Sequence, residues 1–180
     1  MRYLYFLIFI TLFGCSKKEV KPDLDYVRIE MFPAMQFSPA TLEIDLIKKT
    51  FIFSGLQQIS SIDAECNDYY EKTEKPLDFV YIDLNEEEIN KIETVLNNKF
   101  FNDVKQINEL VIKNKTIEQF DGIYFEFDIL KNNQTYSTED LLILNESEEK
   151  KVFELLKILK EHQNSEVNNK YIEKISFYLE

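Results

Sequence analysis

The residues able to do chemistry are few in this chain, and their spacing assigns most of them to other work. His162 is the single histidine, in Lys160-Glu161-His162-Gln163. It is expected at the exposed C-terminal end of a helix, where the dipole favours a positive side chain, rather than as a catalytic base. Asp45 and Asp128 are the carboxylates a glycoside hydrolase would pair, but each is expected on the polar face of a strand. The chain also lacks tryptophan, the favoured sugar-stacking side chain. Asp83, Asn85 and Glu87 alternate like calcium ligands, yet Glu88 and Thr94 occupy the places where an EF-hand needs glycine and glutamate. Cys66 has no histidine or basic cluster nearby in sequence to activate its thiol, so it reads as a small, semi-buried side chain. No Gly-x-Ser-x-Gly elbow is present. Gly14, Gly55 and Gly122 are too scattered to build a phosphate-binding loop, and one histidine with two cysteines excludes the common zinc sites. With 33 acidic against 21 basic residues and a net charge of -12, the chain has no basic patch for nucleic acid. No catalytic, cofactor or metal residue is assigned. Tyr69 and Tyr70, in an acidic polar stretch, are the residues expected to contact a basic protein partner.

The N-terminus carries a different signal. Met1-Arg2 precedes an apolar run from Tyr3 to Phe13, the pattern of a secretory signal peptide. The run is about half of the roughly 20 residues that span a bilayer as a helix. It ends in Leu12-Phe13-Gly14-Cys15, which resembles the lipobox of bacterial lipoproteins, although Phe13 is bulkier than the usual residue there. The resemblance implies cleavage after Gly14, acylation of Cys15 and anchoring of the mature chain by its lipid. Ser16 stands where enteric bacteria place an inner-membrane retention aspartate, so the resemblance points to the outer membrane. Residues 1–14 are thus expected to be a signal peptide, 15–25 a lipidated flexible tether, and 26–180 one domain. Loss of Cys15 to lipid leaves Cys66 without an intramolecular disulfide partner.

The domain reads as α+β: an antiparallel sheet of hairpins with two main helices packed on it. Val27, Ile29 and Met31 alternate with Arg28 and Glu30, the pattern of a half-buried strand. Thr41 to Ile47 repeats it, Lys48-Lys49 turns the chain, and Thr50 to Phe53 returns, with Gly55 as its end. Residues 60–76 read as a loop. Leu77 to Leu84 is a strand with Phe79, Tyr81 and Asp83 on one face; its aromatics could join Tyr69-Tyr70 in a binding patch, but alternating strand aromatics are expected in the core. Asn85 caps a helix with Glu86, Glu87 and Glu88 in its first turn. Asn97-Asn98 loosens the end of that helix and Phe100-Phe101 plugs the core. Residues 102–119 are ambiguous, with Leu110, Val111 and Ile112 able to form a short strand. Ile123 to Leu130 is a strand, Asn132-Asn133 a turn, and Thr135 to Leu144 the return. Asn145 caps a second helix whose buried stripe is Val152, Leu155, Leu156 and Leu159. Tyr171 to Leu179 is expected to be a last strand.

Leu42 to Lys48 matches Phe125 to Lys131 in its acidic and apolar positions, and Leu84-Asn85-Glu86 matches Leu144-Asn145-Glu146. A hairpin-helix unit used twice would explain both, as would the few residue types that strands and caps draw on. The layout from Leu84 through Phe101 to the hairpin near Asp121-Gly122 resembles small uncharacterised domains of bacterial secreted proteins and lipoproteins. That resemblance carries no catalytic motif. Ser54-Gly55 is similar to part of a motif of periplasmic lysozyme inhibitors, but Gln58 replaces the expected tyrosine. The functional expectation is a cell-envelope lipoprotein with a non-catalytic, protein-binding or accessory domain. The alternatives are an inhibitor or immunity protein against a basic enzyme or toxin, and a carboxylate-dependent hydrolase.

Overall fold

Alternation builds the sheet. In a computed structural model, which describes residues 22–33, 39–61, 71–114 and 122–179, Val27, Ile29 and Met31 are fully buried while Tyr26, Arg28 and Glu30 stand on the opposite face. They belong to β1 (Tyr26–Pro33), the middle of the sheet. It pairs antiparallel with β2 (Ala40–Asp45) on one side and with β6 (Ile123–Lys131) on the other. Beyond β2 lies β3 (Thr50–Ser61), and beyond β6 lies β7 (Gln134–Ser137). Two short strands share the outer side of β3: β5 (Val80–Asp83) pairs with its first residues and β4 (Glu71–Pro76) with its last. The expected loop 60–76 is therefore corrected over 71–76, where a strand forms; residues 62–70 lie outside the described residues.

Turn chemistry sets the registers. The Asp45 carboxylate accepts the amides of Ile47 (3.1 Å) and Lys48 (2.7 Å), closing the β2–β3 turn in which Lys49 takes φ 58°. Asn132 and Asn133 take φ 50° and 63°, the two left-handed residues of a tight hairpin turn, between β6 and β7. Gly55 does not end its strand. At φ +138° it bends β3, and a Cβ there would lie 2.5 Å from the Pro39 carbonyl oxygen and 2.7 Å from Ala40 Cα.

Four helices occur among the described residues, where two main ones were expected: α1 (Glu86–Val95), α2 (Asn98–Asn114), α3 (Glu146–Glu161) and α4 (Glu166–Leu179). Asn85 and Glu88 form a complete capping box on α1, and Asn145 caps α3. Asn97 ends α1 and also caps α2, its side chain accepting from Lys99 N (3.0 Å) and Phe100 N (3.1 Å). The strand expected at Leu110–Ile112 is helix. Phe100, Phe101, Val104, Ile107 and Val111 repeat at helical spacing toward the core, leaving Leu110 exposed. The last strand expected from Tyr171 is also helix. Ser165 caps it by accepting Asn168 N (3.0 Å), and Val167, Tyr171, Ile172 and Ile175 form its inner stripe.

The helices cover the face that carries Val27, Phe53 and Phe127. Phe100 meets Phe127 edge-on at 5.8 Å between ring centroids, Phe101 meets Tyr136 at 5.6 Å, and Tyr171 reaches Phe53 at 6.4 Å. The expected stripe Val152, Leu155, Leu156 and Leu159 is fully buried. The α+β class is thus the observed one. A duplicated unit is not shown: Leu42 stands opposite Ile29 of β1, whereas Phe125 stands opposite Met31. No described helix is long and apolar enough to cross a membrane.

Candidate functional site

With helices on one face, the polar positions of every strand come together on the other. Strand register fixes the neighbours. Across the middle of this open face run Ser137, Asp128, Arg28, Glu43, Ile52 and Tyr81, each opposite the next. One residue pair along, Asp45 and Leu130 flank Tyr26, with Asp83 beyond Thr50. In the other direction Glu30 stands opposite Glu126. Six carboxylates (Glu30, Glu43, Asp45, Asp83, Glu126 and Asp128) therefore share a face whose central cation is Arg28.

Arg28 binds Glu30 and lies 3.5 Å from Asp128 through Nη1. Ser137 donates to the other Asp128 oxygen at 2.6 Å. Tyr26 donates to Glu43 at 3.1 Å. Burial, then the Glu43 charge and hydrogen bond, push the Tyr26 phenol up to about 12. Burial and the neighbouring charges of Glu30 and Asp128 raise the Glu126 carboxyl above its ordinary value, against the pull of Arg28. Asp45 moves the other way: its partial burial would raise it, but the Lys48 amide and ammonium and the Ile47 amide hold it below the usual range. Among the described residues, Arg28 and Lys48 are two cations against six carboxylates, so the face keeps a negative field.

Among the described residues the carboxylates line only a small recess. The recess formed by Arg28, Glu30, Glu126, Asp128 and Thr138 is about 50 Å³, against roughly 300–1,000 Å³ for small-molecule sites. Asp45 and Asp128 do share this face, but they meet different residues of β1, and their oxygens are engaged as described. A larger groove of about 430 Å³ lies elsewhere, between α3 and α4, floored by Phe153, Ile172 and Phe177 with Lys157, Lys160 and Glu173 at its rim.

Asn85 and Glu87 belong to the start of α1, where Asn85 caps, and Glu87 pairs with Lys91 at 3.1 Å. Asp83 accepts from the Tyr81 hydroxyl at 3.0 Å. Among the described residues no group of three or more His, Cys, Asp or Glu is placed to hold a metal ion. His162 sits at the exposed end of α3, but solvent is not its sole neighbour: Nε2 is 2.5 Å from Oε1 of Glu88, whose other oxygen completes the α1 capping box. Cys15, Cys66, Tyr69 and Tyr70 lie outside the described residues.

The expectation of core aromatics at Phe79 and Tyr81 is corrected. Phe79 is 67% exposed and Tyr81 52%, while Leu77, Ile82 and Leu84 fill the core beside them. Phe79, Tyr81 and Asp83 do share one face, as their alternation requires, but that face is the outer one. The alternating Ile82 and Leu84 were the available signal that the other face is the buried one.

The fold and this face define a class: an α+β protein with an antiparallel sheet that carries helices on one face and carboxylates on the other. Comparison with protein-family models, curated proteins and solved structures finds no match to this chain.

Proposed function

We propose that this protein is a cell-envelope lipoprotein, held at the membrane through an acylated Cys15, whose domain binds another protein without catalysing a reaction. The observation that carries the reading is the sheet face turned away from the helices, where carboxylates surround one arginine and the described residues form no substrate-sized cleft among them. Such a face suits a basic partner, because complementary charge accelerates encounter and rejects acidic competitors. The lipobox resemblance supplies the location.

The test compares envelope proteins retained by the domain and by a variant with Glu43→Lys and Glu126→Lys. A basic protein held by the first and released by the second, with weaker retention at high salt, is expected. Identical retention by both would overturn the reading. Replacing Cys15 with alanine should abolish acyl labelling and release the protein from membranes; labelling that persists would refute the anchor independently of the partner.

The net charge of -12 favours one more specific reading, an inhibitor or immunity protein acting on a basic enzyme or toxin. Micromolar domain should then slow a lysozyme or another peptidoglycan hydrolase. Unchanged rates would remove that version and leave the accessory role standing.

A further inference from the structure

Among the described residues no strand pairs with the outer edge of β5, and that free edge combines features that the fold itself does not need. This strand pairs with β3 on one side. Leu84 N donates to Lys49 O at 2.8 Å, which places Ile82 and Val80 as the residues that bond β3. The backbone N–H and C=O of Tyr81 and Asp83 therefore point away from β3, toward the edge. Phe79, Tyr81 and Asp83 are all exposed at alternate positions.

This edge is held rigidly. Asn168 of α4 is fully buried, and its side-chain amide is spent entirely on one residue: Oδ1 accepts Asp78 N at 2.9 Å, and Nδ2 donates to Asp78 O at 2.9 Å. Ser165 donates to the Asp78 carboxylate at 2.5 Å, and Leu77 N donates to Gly55 O at 3.0 Å. A buried amide is tolerated only when its groups are bonded, and here those bonds fix the backbone that leads into an exposed phenylalanine. Aromatic side chains on a fixed backbone lose little freedom when a partner covers them, which makes them effective anchors.

Exposed edges are commonly blunted by lysine, proline or a bulge. Val80–Asp83 is short, itself one such device, but carries no lysine or proline; its charge is Asp83, with Asp78 before it and Glu43 and Asp45 on the same sheet. An acidic strand would be repelled and a basic one attracted.

We infer that the free edge of β5 receives an extended lysine- or arginine-bearing segment of a protein partner as an added strand, with Phe79 and Tyr81 as its anchors. Main-chain bonds from Tyr81 and Asp83 would supply the ladder, Asp83 an ion pair, and the Tyr81 ring a face for a cation. The inference rests on the protein-binding reading and adds its location and mode.

The experiment is an amide-resolved NMR titration of the domain with short synthetic peptides. Alternating lysine and valine should give saturable shifts centred on Val80–Asp83. Alternating glutamate and valine should give none. Alternating Nα-methyl-lysine and proline keeps the charge but has no backbone N–H to donate to a ladder, and should bind at least about tenfold more weakly. A folded Phe79→Ala, Tyr81→Ala variant should lose a similar factor. Shifts centred on Arg28 and Glu126, or equal binding of the proline peptide, would overturn strand addition while leaving a basic partner in place. No saturable response to either basic peptide would overturn both.

Discussion

Glu126→Gln should make the folded domain more stable at neutral pH. Glu126 stands directly opposite Glu30, with Asp128 on its own strand face and Arg28 as the counter-charge. Removing its charge relieves repulsion from two carboxylates and forfeits attraction to one guanidinium. The balance is about one unit of like-charge repulsion, near 0.7 kcal/mol for charges about 6 Å apart in a water-like dielectric. Like charges directly opposite in a sheet cost roughly 0.2–1 kcal/mol, so a gain of about 0.5–1 kcal/mol is expected. The sign with pH follows from the raised carboxyl. The folded wild type takes up its proton at a higher pH than the unfolded chain does, and so gains stability relative to the variant as pH falls through that raised value. The advantage of glutamine is complete above the folded value and is lost as pH falls from that value to the unfolded one. Urea unfolding at pH 7 and near pH 4 measures both, and added salt should shrink the gain at pH 7. A less stable variant at pH 7, or a gain equal at both pH values, would refute the account of this face.

Gly55→Ala should destabilise by about 3 kcal/mol or more, since left-handed backbone strain adds to a clash with main chain that cannot yield; a denaturant midpoint near wild type would contradict it. Phe100→Ala, which empties a fully buried site against Phe127, should cost about 3–5 kcal/mol by the same assay. Asn97→Ala should cost about 1 kcal/mol through the α2 cap; calorimetry showing no loss would mean water replaces the side chain.

Much of the fold was legible wherever one period dominated. β1 and β2 alternate cleanly, and Asn85 and Asn145 announce helices through the acidic first turns that follow. The α2 helix was obscured because Leu110-Val111-Ile112 is locally strand-like. The deciding series from Phe100 to Val111 is spread over three turns and begins at a cap shared with the end of α1. Tyr171, Ile172 and Ile175 misled in the same way, as aromatic and β-branched residues placed at helical spacing. The site was less legible than the fold. Its carboxylates are visible in the sequence, but Arg28 and Asp128 are 100 residues apart, and nothing local states that β1 separates β2 from β6. The exposure of Phe79 required knowing which side of β5 the helices occupy.

The division of β3 at Gly55 gives the molecule two regimes of backbone protection. Before the glycine, Phe51 and Phe53 lie in the core, and amides bonded there exchange with solvent only when the domain unfolds. After it, β3 and β4 form a ribbon in which Thr73, Glu74, Lys75 and Pro76 are all exposed. That ribbon is expected to open while the sheet stays closed. Hydrogen exchange should therefore change sharply across one residue of a continuous strand. A partner that docked on the ribbon would be recognised by slowed exchange there, with the core amides unchanged.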